Sequence, residues 1–356
     1  MTHDSAARGL YCRCVQGNDS GGGRESVRHG APAAFGSFAT LAAFFTIAWL
    51  SLAEWKILTR LYADLASLAF VVESVRGVLA GTPVSKSWAH RLVAPLLVTL
   101  LGEPDSDAVL LFTGLALLAA NGLLFVLLRW RGVSRFGAAL GVTAFGLLRI
   151  VLAYKLEYPW DGVDQLVFLA FGAWAARGGG LWRFAPILVV GTLNHETILY
   201  VPLYYLMDAL ASPPRSLRKA LSAGAALGVV AAAIAGLRAL RYVGRPELPG
   251  QVFEPPTPLV ENHLHVAHNL EQLFVRNWSA GRVHISVGVL LAIAVLVAVA
   301  RKPGVRVAAL WSLVVIGSIV AFGYVNETRH YLVLLAFWIA HAWRDRAEAG
   351  AADPCA

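Results

Sequence analysis

Long apolar runs recur along the chain and constrain it more than any other feature. They lie at Phe35 to Ala53, 107–128, 136–154, 163–177, 184–207, 219–240, 284–300, 305–324 and 331–343. A helix needs about 20 apolar residues to cross a hydrocarbon core of about 30 Å, and several runs approach or meet that length. In lipid, only helices and closed barrels satisfy every backbone polar group. The runs therefore predict an all-α fold, a polytopic transmembrane helical bundle. Composition agrees, with 57% of the 356 residues hydrophobic, 15% charged and a mean hydropathy of +0.61. Soluble domains carry roughly 25% charged residues. Residues 1–33, rich in Gly, Ser, Arg and His, read as a disordered cytoplasmic tail. That tail is too long and polar for the start of a cleaved signal peptide. Residues 34–346 form the transmembrane domain, and 347–356 a short second tail.

The net charge of +8 invites a nucleic-acid partner. The basic residues argue against one, because they sit in short clusters between apolar runs rather than on one stripe. Such clusters are topology signals that belong in the cytoplasm. They precede the first run (Arg8, Arg13, Arg24, Arg28) and join the second and third (Arg129, Arg131, Arg135). Others are Arg177 with Arg183, Arg215 with Arg218 and Lys219, Arg301 with Lys302 and Arg306, and Arg344 with Arg346. If every run crosses once, Arg183 and Arg215 fall on opposite sides. Either 184–207 enters and returns as two half-helices, or 163–177 does so, or the rule fails here. The polar quartet Asn194-His195-Glu196-Thr197 is a natural break, so 184–207 is the preferred re-entrant run. This gives about eight crossings with both termini inside. The outer loops are then 54–106, 155–162, 241–283 and 325–330. The first carries two interfacial helices, Leu65 to Leu79 and Ser87 to Leu101. Abundant arginine, alanine and glycine fit a bacterial genome, and so a bacterial cytoplasmic (inner) membrane. Cys12, Cys14 and Cys355 lie in the polar tails and supply neither a disulfide framework nor a four-ligand zinc site.

Ionisable groups at membrane depth are costly, and that makes them functional candidates. His195 and Glu196, with Asn194, interrupt an apolar run. They read either as a substrate or lipid-phosphate site at a half-helix end or as a buried pair that fixes helix contacts. Glu157, Asp161 and Asp164 read as a divalent-cation or base site, or as a solvated turn among belt aromatics. Glu54, Asp64 and Glu73 follow the first run, and Asp64 suits a helix cap. In Asn326-Glu327-Thr328-Arg329-His330-Tyr331, acid and base pair with each other or Arg329 grips a phosphate, joined by Arg91. His263, His265 and His268 are zinc-type ligands, but His263 and His265 do not share a helix face. No nucleotide-binding or common hydrolase motif occurs.

These residues resemble the GT-C class of membrane glycosyltransferases. An acid-bearing outer loop with Glu54, Asp64 and Glu73 follows the first run. Trp88-Ala89-His90-Arg91-Leu92-Val93-Ala94-Pro95-Leu96-Leu97 is similar to an "Arg, aliphatic, Pro, Leu" stretch of that class. Leu193-Asn194-His195-Glu196-Thr197-Ile198-Leu199-Tyr200-Val201-Pro202 resembles its "Asn-Arg-Glu-Thr, aliphatics, Pro" helix. Glu327-Thr328-Arg329-His330-Tyr331-Leu332 is similar to a late "Glu-x-Arg-aromatic-Leu" element. The resemblance implies transfer of a sugar from a polyprenyl-phosphate donor on the outer face. It implies no nucleotide fold and no cofactor beyond a possible divalent cation, with membrane lipids as partners. Asp64 or Glu54 would be the base, with Asp161 or Asp164 assisting. Arg91 and Arg329 would hold phosphate, and Asn194, His195, Glu196 and Glu327 would line the lipid-sugar pocket. The competing expectations are a transporter or flippase with a midplane site at 194–197, and a polysaccharide polymerase or assembly subunit.

Overall fold

A computed structural model describes residues 38–61, 65–83, 88–152, 158–212, 216–242, 264–325 and 327–341. Among them the apolar runs are helices and there is no strand. The helices are α1 (Phe38–Leu61), α2 (Leu65–Leu79), α3 (Val93–Thr99), α4 (Ser106–Trp130), α5 (Arg135–Leu152), α6 (Pro159–Ala176) and α7 (Ala185–Thr192). They continue with α8 (Tyr200–Ala211), α9 (Leu217–Tyr242), α10 (Val266–Glu271), α11 (Asn277–Ser279), α12 (Val283–Val299), α13 (Arg306–Phe322) and α14 (Leu332–His341). A π-helical turn, Gln272–Arg276, joins α10 to α11. Leu41–Arg60, Ser106–Trp130, Arg135–Leu152 and Leu217–Arg241 are long and apolar enough to cross a membrane. Leu181–Thr192, Val283–Val299 and Arg306–Phe322 are shorter apolar helices. Large apolar side chains such as Phe45, Trp49, Phe136 and Val151 stay exposed on the outside of the bundle, where lipid is the natural solvent.

Local chemistry sets the boundaries. Asp105 caps α4 by accepting from the Ala108 amide at 2.8 Å. Helix α6 starts at Pro159, earlier than the apolar run at 163, because proline suits the first helical position. The Asp161 carboxylate then accepts the Tyr158 amide at 3.0 Å. The stretch expected as one helix from Ser87 to Leu101 is instead a turn at 88–92 followed by the seven-residue α3. The Leu92 and Val93 amides are taken by the Leu193 carbonyl, at 2.6 and 3.1 Å, and this breaks the helix there. Helix α2 has the expected bounds. It does more than lie at an interface, since Val71, Val72, Val75 and Val78 are buried in the common core.

The core centres on aromatic contacts among α6, α8, α13 and α14. Phe171 meets Tyr204, Trp311 and Phe337 with ring centroids 5.2 to 5.8 Å apart. Trp311 donates to the Tyr200 carbonyl at 2.7 Å. Helix α14 is short but almost wholly buried. Its closest neighbour is α6, where a Cβ on Gly172 would stand 2.4 Å from the Phe337 carbonyl oxygen.

The bundle has two distinct ends. At the lower end Arg131 donates to the carbonyls of Ala173 (3.0 Å) and Ala340. There too the Tyr205 hydroxyl donates to Gly179 at 2.8 Å, and the Trp182 indole donates to Ser222 at 2.7 Å. Segment 181–211 therefore rises as α7, breaks, and returns as α8 to the end it left. A cavity of about 550 Å³ lies between this hairpin's base and the ends of α9 and α13. The upper end holds the break, the turn at 88–92, the start of α6 and the last turns of α9 and α13.

Candidate functional site

Residues 193–199 explain how an apolar hairpin carries a polar tip. The His195 amide bonds back to the Gly191 carbonyl at 2.8 Å and closes α7. Gly191 has no alternative side chain here, because a Cβ would lie 2.4 Å from the Ile198 side chain folded over it. Leu193 turns its carbonyl to the 88–92 turn, and Pro202 falls in the first turn of α8, where its missing N–H costs nothing. Asn194 and His195 are thus fixed between helices, and Glu196 and Thr197 open the short 3-10 helix Glu196–Leu199 that leads into α8.

Groups distant in sequence converge on this tip. The Asp164 carboxylate, one turn into α6, accepts from Asn194 Nδ2 at 2.8 Å and from Thr197 Oγ1 at 2.5 Å. His195 Nδ1 stands 3.3 Å from the same carboxylate and accepts the Thr197 amide at 3.2 Å. Glu196 takes a hydrogen bond from Arg91 Nη2 at 2.8 Å. Its second oxygen lies 3.4 Å from both His90 Nε2 and Arg238 Nη2. Arg238, on α9, also donates to His90 Nδ1 at 3.2 Å. The Arg91 guanidinium lies 5.2 Å from the Trp160 ring centroid, and Trp160 stacks on Tyr158. Burial pushes the His90 imidazole below its ordinary pKa and keeps it neutral.

A second group adjoins the first. Arg329 Nη1 is 3.4 Å from Asp161, its Nη2 donates to Glu327 at 3.1 Å, and its guanidinium covers the Tyr158 ring at 4.4 Å. His330 Nε2 lies 2.8 Å from Glu327. Burial would raise the Glu327 carboxyl, but the His330 hydrogen bond and the Arg329 charge outweigh it and hold it below the usual carboxylate range. Burial works against the Arg329 charge as well, yet Asp161 and Glu327 prevail and raise its pKa.

Buried polar atoms are normally hydrogen-bonded, and exceptions call for an explanation. Among the described residues, Arg91 Nε and Asn194 Oδ1 in this cluster lack a hydrogen-bond partner, as does the Tyr331 hydroxyl outside it, while His90 Nε2 and Glu196 Oε2 face each other only at 3.4 Å. Glu196 and Arg238 keep about a third of their side chains exposed, so the cluster is reachable. Among the described residues, no group of three or more His, Cys, Asp and Glu is arranged to hold a metal.

Most sequence candidates meet here: Asp161, Asp164, Arg91, Asn194, His195, Glu196, Glu327 and Arg329. Glu54 does not. It lies inside the bundle, where Arg149 grips both of its oxygens. Arg149 also donates to Asn121 at 3.0 Å and to Gln165 at 2.8 Å, and Asn121 donates to Glu54 and Ser51. A carboxylate so engaged, and 4% exposed, is a structural tie and not a base at the outer loop. Asp64, Glu157, His263 and Asn326 lie outside the described residues. Glu73 is exposed on α2. His265 and His268 meet Tyr324, with centroids 4.5 and 5.8 Å apart, and help seat α10 on the end of α13. Arg238 was missed, because an arginine ending an apolar run reads as a topology signal. Its clue was position, since α9 rises to the same end as the break. No protein-family model, curated protein or solved structure matches the chain.

Proposed function

We propose that this chain is an integral membrane glycosyltransferase that moves a sugar from a polyprenyl-phosphate donor to an acceptor hydroxyl at the upper face of the bundle. The observation that supports this reading most is the convergence of Arg91, Arg238, His90, Asp164, His195 and Glu196 on one break between half-helices. Paired arginines at a partly exposed break suit a phosphate, whose oxygens match the guanidinium fork. A carboxylate beside an imidazole suits proton removal. In this reading the Asp164–His195 pair takes the proton of the acceptor hydroxyl. The acceptor oxygen bonds to the anomeric carbon, and the bond from that carbon to the phosphate oxygen breaks. Its electron pair leaves with the lipid phosphate, whose charge Arg91 and Arg238 offset. Glu196 holds those two arginines in place, and Arg329 flanks them through Asp161. With Glu54 tied to Arg149, the base falls to Asp164 and His195.

The same reading takes α1, α4, α5, α6, α9, α12, α13 and α14 as eight crossings and 181–211 as a re-entrant hairpin. The Tyr205–Gly179 bond at the hairpin's base supports it. Arg131, Arg177, Arg183, Lys219, Arg301 and Lys302 gather at the lower end, and this supports a reading in which that end faces the cytoplasm of a bacterial inner membrane. Cysteines introduced at Gly180, Ser212 and Lys302 should label only from the cytoplasmic side. Ser212 labelling from outside would end the hairpin topology.

The functional test is transfer from a radiolabelled polyprenyl-phosphate sugar by purified protein. Asp164→Asn and His195→Ala should lose transfer, and undiminished transfer by both would refute the assignment. One observation favours a second reading, a transporter or flippase. The hairpin that carries the polar tip above also lines the cavity below. Movement of the lipid across liposomes by the purified protein, with no transfer product, would favour that reading.

A further inference from the structure

The lower cavity shares no side chain with the cluster around Glu196, and the proposed transfer reaction does not use it. Its volume of about 550 Å³ lies within the roughly 300–1,000 Å³ of small-molecule sites. Three properties of its wall specify what it takes.

The first is a bare backbone. Gly178-Gly179-Gly180 forms one side. Gly178 has a φ of +65°, a Cβ on Gly179 would stand 2.3 Å from the Trp174 indole, and Gly180 faces open space. The loop is held by indole donation from Trp174 to the Gly180 carbonyl at 3.1 Å. A ligand can thus approach a fixed main chain without side chains between. The second is a hydroxyl-rich wall. The Tyr205 hydroxyl, the Asp208–Ser212 pair (2.8 Å) and Ser222 all border the space. The third is charge. Arg183 and Lys219, from different segments, border the space with one carboxylate, Asp208. The excess is one positive charge, on two exposed side chains.

We propose that this cavity binds a phosphate ester. The anionic group sits at Arg183 and Lys219, and the hydroxyl-bearing remainder lies against Tyr205, Asp208, Ser212 and Ser222. A soluble polyol phosphate and a phospholipid headgroup share this chemistry. This inference goes beyond the transfer reading and does not depend on it.

The test uses the full chain in two arms. In one, radiolabelled glycerol 3-phosphate is titrated into protein held in phosphatidylcholine nanodiscs. In the other, native mass spectrometry counts phosphatidylglycerol retained from mixed phosphatidylcholine–phosphatidylglycerol vesicles. One saturable molecule per chain is expected in at least one arm. Arg183→Ala with Lys219→Ala should weaken it by about tenfold, as loss of charged hydrogen bonds does. The charge-keeping pair Arg183→Lys with Lys219→Arg should stay within about threefold. Asp164→Asn, at the upper site, should leave it unchanged. Saturation in the first arm assigns a soluble ligand, and saturation in the second alone assigns a headgroup. No saturable binding in either arm, or equal binding by the doubly substituted alanine variant, overturns the proposal. Both substituted side chains are exposed, and an unchanged unfolding midpoint confirms that the fold persists.

Discussion

Glu54→Gln separates a structural carboxylate from a chemical one. The substitution keeps shape and removes the charge that faces Arg149, whose guanidinium is fully buried. Asn121 and Gln165 remain as neutral acceptors, which do not compensate a buried cation. Breaking a buried ion pair from one side costs about 3–5 kcal/mol. Arg149→Met should cost a similar amount from the other side. Combining Glu54→Leu with Arg149→Met removes both charges. The remaining cost is that of the Asn121 and Gln165 acceptors losing a donor, about 1–3 kcal/mol each. Those losses sum to about 2–6 kcal/mol, so the double variant should cost less than the roughly 6–10 kcal/mol to which Glu54→Leu and Arg149→Met alone would add. The assay is reversible unfolding in mixed detergent micelles followed by tryptophan fluorescence, with sugar transfer measured in parallel. Glu54→Gln should lose stability, with transfer falling only as the folded fraction falls. Additive single effects would refute the buried tie. So would a stable Glu54→Gln protein without transfer, which would return Glu54 to the chemistry.

Other outcomes follow from the same geometry. Arg91→Ala should lower kcat/KM for transfer by roughly a hundredfold or more, with Arg91→Lys in between; a wild-type value would remove Arg91 from the site. The folded pKa of His90 is lowered by burial, so its contribution to stability is complete above the ordinary value of 6.5 and is lost as pH falls below it. Unfolding midpoints between pH 7.5 and 5 should show that slope, and His90→Gln should flatten it. Gly172→Ala forces a methyl against the Phe337 carbonyl and should cost roughly 1–3 kcal/mol. Gly224→Ala meets open space and should be neutral or stabilising by up to about 1 kcal/mol; equal effects at both glycines would refute the close α6–α14 contact.

Much of this molecule is legible in its sequence, for physical reasons. Apolar runs must become helices in lipid, and a four-residue polar interruption cannot stay in the middle of a straight one. The helix class and the break at 194–197 follow from that alone. Helix α2 was legible because Leu65, Leu68, Val72, Val75 and Leu79 repeat at helical spacing. The stretch at 87–101 misled, since its own pattern is helical while a carbonyl from residue 193 takes the amides that would continue it. Pairings were the least legible. Glu54 directly follows one apolar run and Arg149 sits singly in another, 95 residues apart, and nothing local says which acid meets which base. Glu54 therefore read as an outer-loop acid, although α1 runs on to Leu61 and keeps it inside the bundle. Asn121 and Gln165 were passed over for the same reason.

The Leu193 carbonyl, which accepts from Leu92 and Val93, has a consequence for biogenesis. Arg91 lies 105 residues before its partner Glu196, and His90 lies 148 residues before Arg238. The turn at 88–92 therefore leaves the ribosome long before the hairpin that will hold it, and α9 closes the site later still. Until then Arg91 and His90 lack Glu196 and Arg238 as partners. The upper site is a late product of insertion, assembled only when the second half of the chain threads back to meet the first.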